Sequence, residues 1–146
     1  MIRMKTILLM LITPLLMFGQ SKVETNKFVE ANMGLATIGE YSHDFVFPGC
    51  SVLYGHTTSF DKAIVVEWEV GLAFPSIATG KVGFGFGNTE NNVMASLRLW
   101  PLTFGPQIRI ENFVASFEIG NTEELSMEAG FIATIGYRFT IKTKQR

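Results

Sequence analysis

The chain has 146 residues and a net charge of −1, which excludes a nucleic-acid binder held by bulk electrostatics. Its single cysteine, Cys50, excludes an intramolecular disulfide framework and a cysteine-rich zinc site. Charged residues make up 17%, below the usual quarter or so, while 14 glycines and 13 phenylalanines are in excess.

Arg3 and Lys5 precede an apolar run, Ile7 to Phe18, broken only by Thr13 and Pro14; Gly19 then supplies the small residue of a cleavage point. This is the layout of a secretory signal peptide, residues 1–19, cleaved from the mature chain. The run is shorter than the ~20 residues of a spanning helix. Residues 20–146 are then enough for one domain and not two.

Beyond Gly19 the longest uncharged stretch, Phe45 to Phe60, is interrupted by Pro48, Gly49, Gly55 and His56, which excludes a helical membrane protein. Period two dominates instead. In chain order, Val29, Ala31, Met33 and Leu35 face away from Glu30, Asn32 and Gly34. Ile64, Val66, Trp68, Val70, Leu72 and Phe74 oppose Glu67, Glu69, Gly71 and Ala73. Val82, Phe84 and Phe86 alternate with Gly83, Gly85 and Gly87; Val93, Ala95, Leu97 and Leu99 oppose Ser96 and Arg98. Phe113, Ala115, Phe117 and Ile119 oppose Ser116 and Glu118. The last strand runs from Leu125 to Ile141, its apolar positions opposing Glu128, Gly130, Thr134, Gly136 and Arg138. Successive strand side chains point to opposite faces, so each strand has one apolar face and one small, polar or charged face.

Turn-forming residues separate these runs at Glu40 to Asp44, Ser59 to Lys62, Asn88 to Asn92, Glu111-Asn112 and Asn121 to Glu124. A two-residue turn at Glu111-Asn112 pairs Ile110 with Phe113, and a four-residue loop over Asn88 to Asn91 pairs Gly87 with Asn92; both pairings keep faces consistent. The run from Pro106 to Glu111 carries the weakest pattern, and Asn121 with Glu124 fits a capping box that would start a helix toward Ala129. The expected fold is all-β, an antiparallel up-and-down barrel of eight strands.

Such a pattern serves a soluble barrel with the apolar face inward or a transmembrane barrel with it outward. Three features favour the second. Glu30, Glu67, Glu69, Glu118 and Glu128 share the polar face with Arg98 and Arg138, and with Arg109 if that strand holds register. Mixed with glycine and serine, these charges suit a narrow lumen in which they pair, while lysines gather at ends and turns: Lys22, Lys27, Lys62, Lys142 and Lys144. The apolar face, with Trp68 and many phenylalanines, is too bulky for an eight-strand interior that only just accommodates side chains. Aromatics also group at two levels, Phe28, Phe86, Phe113, Tyr137 and Phe139 at one and Phe74, Trp100 and Phe104 at the other, as membrane-interface girdles do.

The terminal strand Thr134-Ile135-Gly136-Tyr137-Arg138-Phe139-Thr140-Ile141 resembles the sorting signal of small Gram-negative outer-membrane β-barrel proteins, with a polar residue at Thr134, glycine at Gly136 and hydrophobic residues at Phe139 and Ile141. Lys142 to Arg146 follow, where many members of that family end on an aromatic. The resemblance covers the mature chain as architecture, without a subfamily. It implies residence in the cell outer membrane, contact with outer-membrane lipid, and handling by the barrel-assembly machinery during biogenesis.

Chemistry-bearing residues are few. His43 lies in the first loop beside Ser42 and Asp44, where a solvated histidine is the better reading; His56 falls toward the periplasmic end of the second strand. Glu67 and Glu69 share a face ~7 Å apart, a spacing open to acid–base work but better read as lumen ion pairing. Glycines at 83, 85 and 87 alternate with phenylalanine as a strand does, which is not a phosphate cradle. Cys50 reads as a small apolar filler, and Trp100 to Pro106 as an apolar turn at the outer rim. No catalytic residue, metal site or cofactor is assigned. The expected function is a non-enzymatic outer-membrane barrel with a closed, charge-paired lumen and a structural or surface-interaction role. The alternatives are an outer-membrane lipid-modifying enzyme using His43 or Glu67 and Glu69, and a soluble periplasmic lipocalin-like binder.

Overall fold

The alternation of large apolar with small or charged residues is realised as eight strands in a computed structural model that describes residues 22–38, 46–120 and 129–141. They are β1 (Val23–Ile38), β2 (Phe47–Phe60), β3 (Ile64–Phe74), β4 (Ile77–Gly87), β5 (Asn91–Leu99), β6 (Leu102–Ile110), β7 (Phe113–Gly120) and β8 (Ala129–Ile141). Each pairs antiparallel with its sequence neighbours, and β8 pairs with β1, closing the barrel. The expected signal segment, the loop with His43, the stretch from Asn121 to Glu128 and the residues after Ile141 lie outside the described residues.

Both expected registers hold. Ile110 faces Phe113 across Glu111-Asn112, and Gly87 faces Asn92. Glu111 adopts φ 54°, donates its N–H to Asn91 Oδ1 at 3.1 Å and accepts from Arg109 Nε at 2.9 Å. Both bonds use its backbone, and its side chain only adds steric cost in this left-handed region. Glu111→Gly is therefore expected to stabilise the barrel by about 0.5–1 kcal/mol in urea unfolding from phospholipid vesicles.

The segment from Trp100 to Pro106, expected as a rim turn, turns only at Trp100-Pro101 and is strand from Leu102 onward. Leu102, Phe104, Pro106, Ile108 and Ile110 face outward and alternate with buried Thr103, Gly105, Gln107 and Arg109, so period two continues through it. Pro106 pairs with Ala95, but β6 and β7 are unpaired at Gly105 and Pro106, where proline has no N–H to give.

Followed across the ladders, Lys27 leads to His56, Trp68, Val82, Leu97, Phe104, Ile119 and Phe131, and so back to β1 beside Ala36. This stagger is the strand tilt that closure of an eight-strand sheet requires. β5 and β6, at 9 residues each, match the ~9–11 residues of a tilted spanning strand.

Burial runs opposite to that of a water-soluble barrel. Leu72 is 69% exposed, Phe86 68% and Phe104 56%, whereas Glu30, Glu118 and Arg138 are at 0%. A lipocalin-like binder needs its apolar faces inward, and here they form the outer wall. Apolar outside with paired charges inside is the arrangement of a membrane barrel.

Two expectations about single side chains are corrected. Phe28 is not part of an outer girdle: it shares the parity of Glu30 and is 1% exposed, inside the lumen. Cys50 is exposed on the outer wall, register partner of Phe74, rather than a buried filler. Phe86, Phe113, Tyr137 and Phe139 do lie exposed around the end where β1 starts and β8 stops, with Phe113 and Tyr137 in edge contact at 5.4 Å.

Candidate functional site: the lumen charge network

Inward parity delivers one polar row from each strand into a space only side chains can fill. Among the described residues, four carboxylates (Glu30, Glu67, Glu69, Glu118) and four cations (Lys81, Arg98, Arg109, Arg138) are buried. Charges removed from water call for close partners, and all of these but Arg109 form two hubs.

The first hub is Arg138 on β8. Its Nε donates to Glu30 Oε2 at 2.7 Å; Nη1 donates to Glu67 Oε2 at 2.6 Å and Thr57 Oγ1 at 3.1 Å; Nη2 donates to Glu67 Oε1 at 2.9 Å and Glu69 Oε1 at 3.0 Å. Only guanidinium offers a planar fork with enough donors for three carboxylates. The Phe28 ring closes one side, its centroid 3.5 Å from the guanidinium carbon, a cation–π contact. Room for that ring depends on Gly55, where a Cβ would lie 2.6 Å from Phe28 Cζ and 2.5 Å from the Trp68 carbonyl.

The second hub is Glu118 on β7. Arg98 holds it in a bidentate pair, Nε to Oε2 at 2.7 Å and Nη2 to Oε1 at 3.1 Å, while Nη1 donates to Thr79 Oγ1 at 3.1 Å. Thr103 and Ser116 hydroxyls donate to the same carboxylate at 2.7 and 3.2 Å, and Lys81 Nζ lies 3.3 Å from Oε1. Gln107 links the hubs: its Nε2 donates to Glu67 Oε1 at 3.0 Å and its Oε1 accepts from Lys81 Nζ. The gap enclosed by Glu67, Glu69, Lys81, Gly83, Ser96 and Gln107 leaves no room for a water molecule. Beyond the second hub, toward the Pro75-Ser76 and Trp100-Pro101 turns, an open depression is lined by Asn32, Ser51, Ser76, Arg98, Pro101 and Ile132 among others.

Of the lumen residues expected from sequence, Glu30, Glu67, Glu69, Arg98, Glu118 and Arg138 all enter this network, and Glu128 lies outside the described residues. Lys81 is a correction: lysines are expected at ends and turns, yet this one is 4% exposed inside the lumen. Its signal is present in the chain, since it shares the phase of Gly83, Gly85 and Gly87. Arg109 is also buried, and its Nη1 has no hydrogen-bond partner among the described residues. Glu67 and Glu69, at 2% and 3% exposure, are held as partners of Arg138 rather than presented to a substrate. His56 points outward, away from them, and stacks on Trp68.

The β8 residues singled out in the terminal motif divide by face. Thr134 and Gly136 turn toward the lumen, Thr134 bonded to Ser116 at 2.8 Å, while Phe139 and Ile141 are exposed outside at 57% and 43%. Among the described residues no group of three or more His, Cys, Asp or Glu side chains is placed to hold a metal ion. No family model matches the chain, and neither a curated protein nor a solved structure matches it.

Proposed function

We propose that the protein is a small integral outer-membrane β-barrel with a closed lumen, serving a structural or surface-interaction role and carrying no catalytic centre in its wall. The observation that carries this reading is the inversion of burial, an apolar wall outside with four carboxylates and four cations buried inside. An export signal at residues 1–19, recognition of the β8 strand through Thr134, Gly136, Phe139 and Ile141 by the barrel-assembly machinery, and outer-membrane lipid as solvent complete the proposal. With the start of β1 and the end of β8 on the periplasmic side, the open depression beside Arg98 faces the cell exterior.

Separation of inner and outer membranes tests the location: the protein should follow the outer membrane, leave it only with detergent, and migrate differently on gels with and without heating. A soluble monomer would overturn the reading. The lumen between Glu67 and Gln107 has no room for water, so planar-bilayer recordings should show no steady conductance; stepwise openings of uniform size would refute the closed lumen.

A further inference from the structure

The outer wall of the described strands carries no carboxylate, and its only basic side chains are Lys27 and His56. These are direct register partners on β1 and β2, so their Cβ atoms lie side by side, about 4.5–5.5 Å apart. Lys27 is half-buried and, among the described residues, makes no hydrogen bond or ion pair; its partner on the other side is Ile141. His56 is held firmly. Its ring stacks on Trp68 with centroids 4.7 Å apart and planes 13° apart, and its Nε2 lies 3.1 Å from the Tyr54 hydroxyl. Trp68 is the register partner of His56 on β3, so one row across three strands presents an amine, an imidazole and an indole, with a phenol alongside.

An unpaired ammonium on a lipid-facing wall must reach water or an anion. Lys27 lies at the end of the barrel where Phe139 and Tyr137 meet at 4.9 Å and where β8 stops opposite it, which is interface level for a spanning barrel, and the row climbs from there toward Trp68 with the stagger of the ladders. At that level the bilayer offers one abundant anion, the lipid phosphate. We propose that Lys27 and His56 form a binding site for the phosphate of an anionic phospholipid, with Trp68 and Tyr54 fixing the His56 ring. The ammonium supplies the charge, the His56 ring supplies a directed hydrogen bond through Nδ1, its Nε2 being bonded to Tyr54, and the exposed apolar wall on either side receives the acyl chains. This proposal rests on the membrane-barrel reading.

The test uses the full mature chain purified in neutral detergent and native mass spectrometry of added lipid. Wild-type protein should retain phosphatidylglycerol in preference to phosphatidylcholine. Lys27→Gln and His56→Ala should each lower that retention, by about fivefold for the loss of the full charge at Lys27, without changing the heat-dependent gel migration that reports folding. Lys27→Arg should retain the lipid. Inorganic phosphate at millimolar concentration should fail to displace it, since the acyl chains add their own contacts. Equal retention of both lipids, equal retention by Lys27→Gln and wild type, or displacement by inorganic phosphate would overturn the proposal. A protein that stays soluble without detergent would instead overturn the membrane reading itself, so the two failures are distinguishable.

Discussion

Arg138→Ala is expected to destabilise the folded barrel by at least ~3 kcal/mol, the scale of removing one partner from a buried ion pair. Five donor contacts to Glu30, Thr57, Glu67 and Glu69 disappear together. Three carboxylates then lose their shared cation deep in the lumen, and Phe28 loses the cation that covers its ring. Arg138→Lys keeps the charge but not the fork, and should fall between the two because one ammonium cannot bond three carboxylates in the same directions. Glu69→Gln should cost less than Arg138→Ala, since Glu69 makes one hydrogen bond to Arg138 and its Oε2 already lacks a partner. The measurement is urea unfolding in phospholipid vesicles, read as the fraction of protein with folded gel migration. Refolding in vesicles bypasses cellular assembly, so an effect on the terminal strand as a recognition signal does not contribute. A change below about 1 kcal/mol for Arg138→Ala would show that the hub is not a stability determinant.

Val70→Arg separates lipid from water as the medium of the outer wall by the size of its effect. Val70 lies in the middle of β3, 53% exposed, between Trp68 and Leu72 on the same face. An arginine there in a bilayer costs about 2–4 kcal/mol at the midplane, and nearer ~0–1 at the interface. Ile64→Arg, beside the turn at the start of β3, should therefore cost much less than Val70→Arg in the same vesicles. Were the wall in water, both would be surface substitutions worth within about 0.5 kcal/mol of zero. Equal small effects at both positions would remove the membrane reading whatever the fractionation shows.

Much of the barrel can be read along the chain because its cause is local. Alternation at Ile64 to Phe74 assigns every side chain of β3 to a face, and the turn residues at Glu111-Asn112 and Asn88 to Asn91 set two registers that the ladders reproduce. The reading fails where composition obscures phase. Pro106 and Gly105 make β6 look like an extended turn, although Thr103, Gln107 and Arg109 keep the inward parity. Residue type puts Phe28 in the outer belt, whereas its parity with Glu30 places it inside. Lysine is common at strand ends, which hides Lys81, although Val82, Phe84 and Phe86 already show which way it points.

The strands, their faces and the separation of apolar from charged rows therefore follow from residue order alone, since period two acts within each strand and is independent of its neighbours. Which charges meet does not follow from it. Glu30 meets Arg138 as its direct register partner once β8 closes on β1, whereas Glu67 and Glu69 on β3, far away in the chain, reach it across the lumen because closure staggers the ladders. The same stagger lets Gln107 and Lys81 connect the Arg138 hub to the Glu118 hub. Strand tilt is a property of the closed ring, and no single strand encodes it.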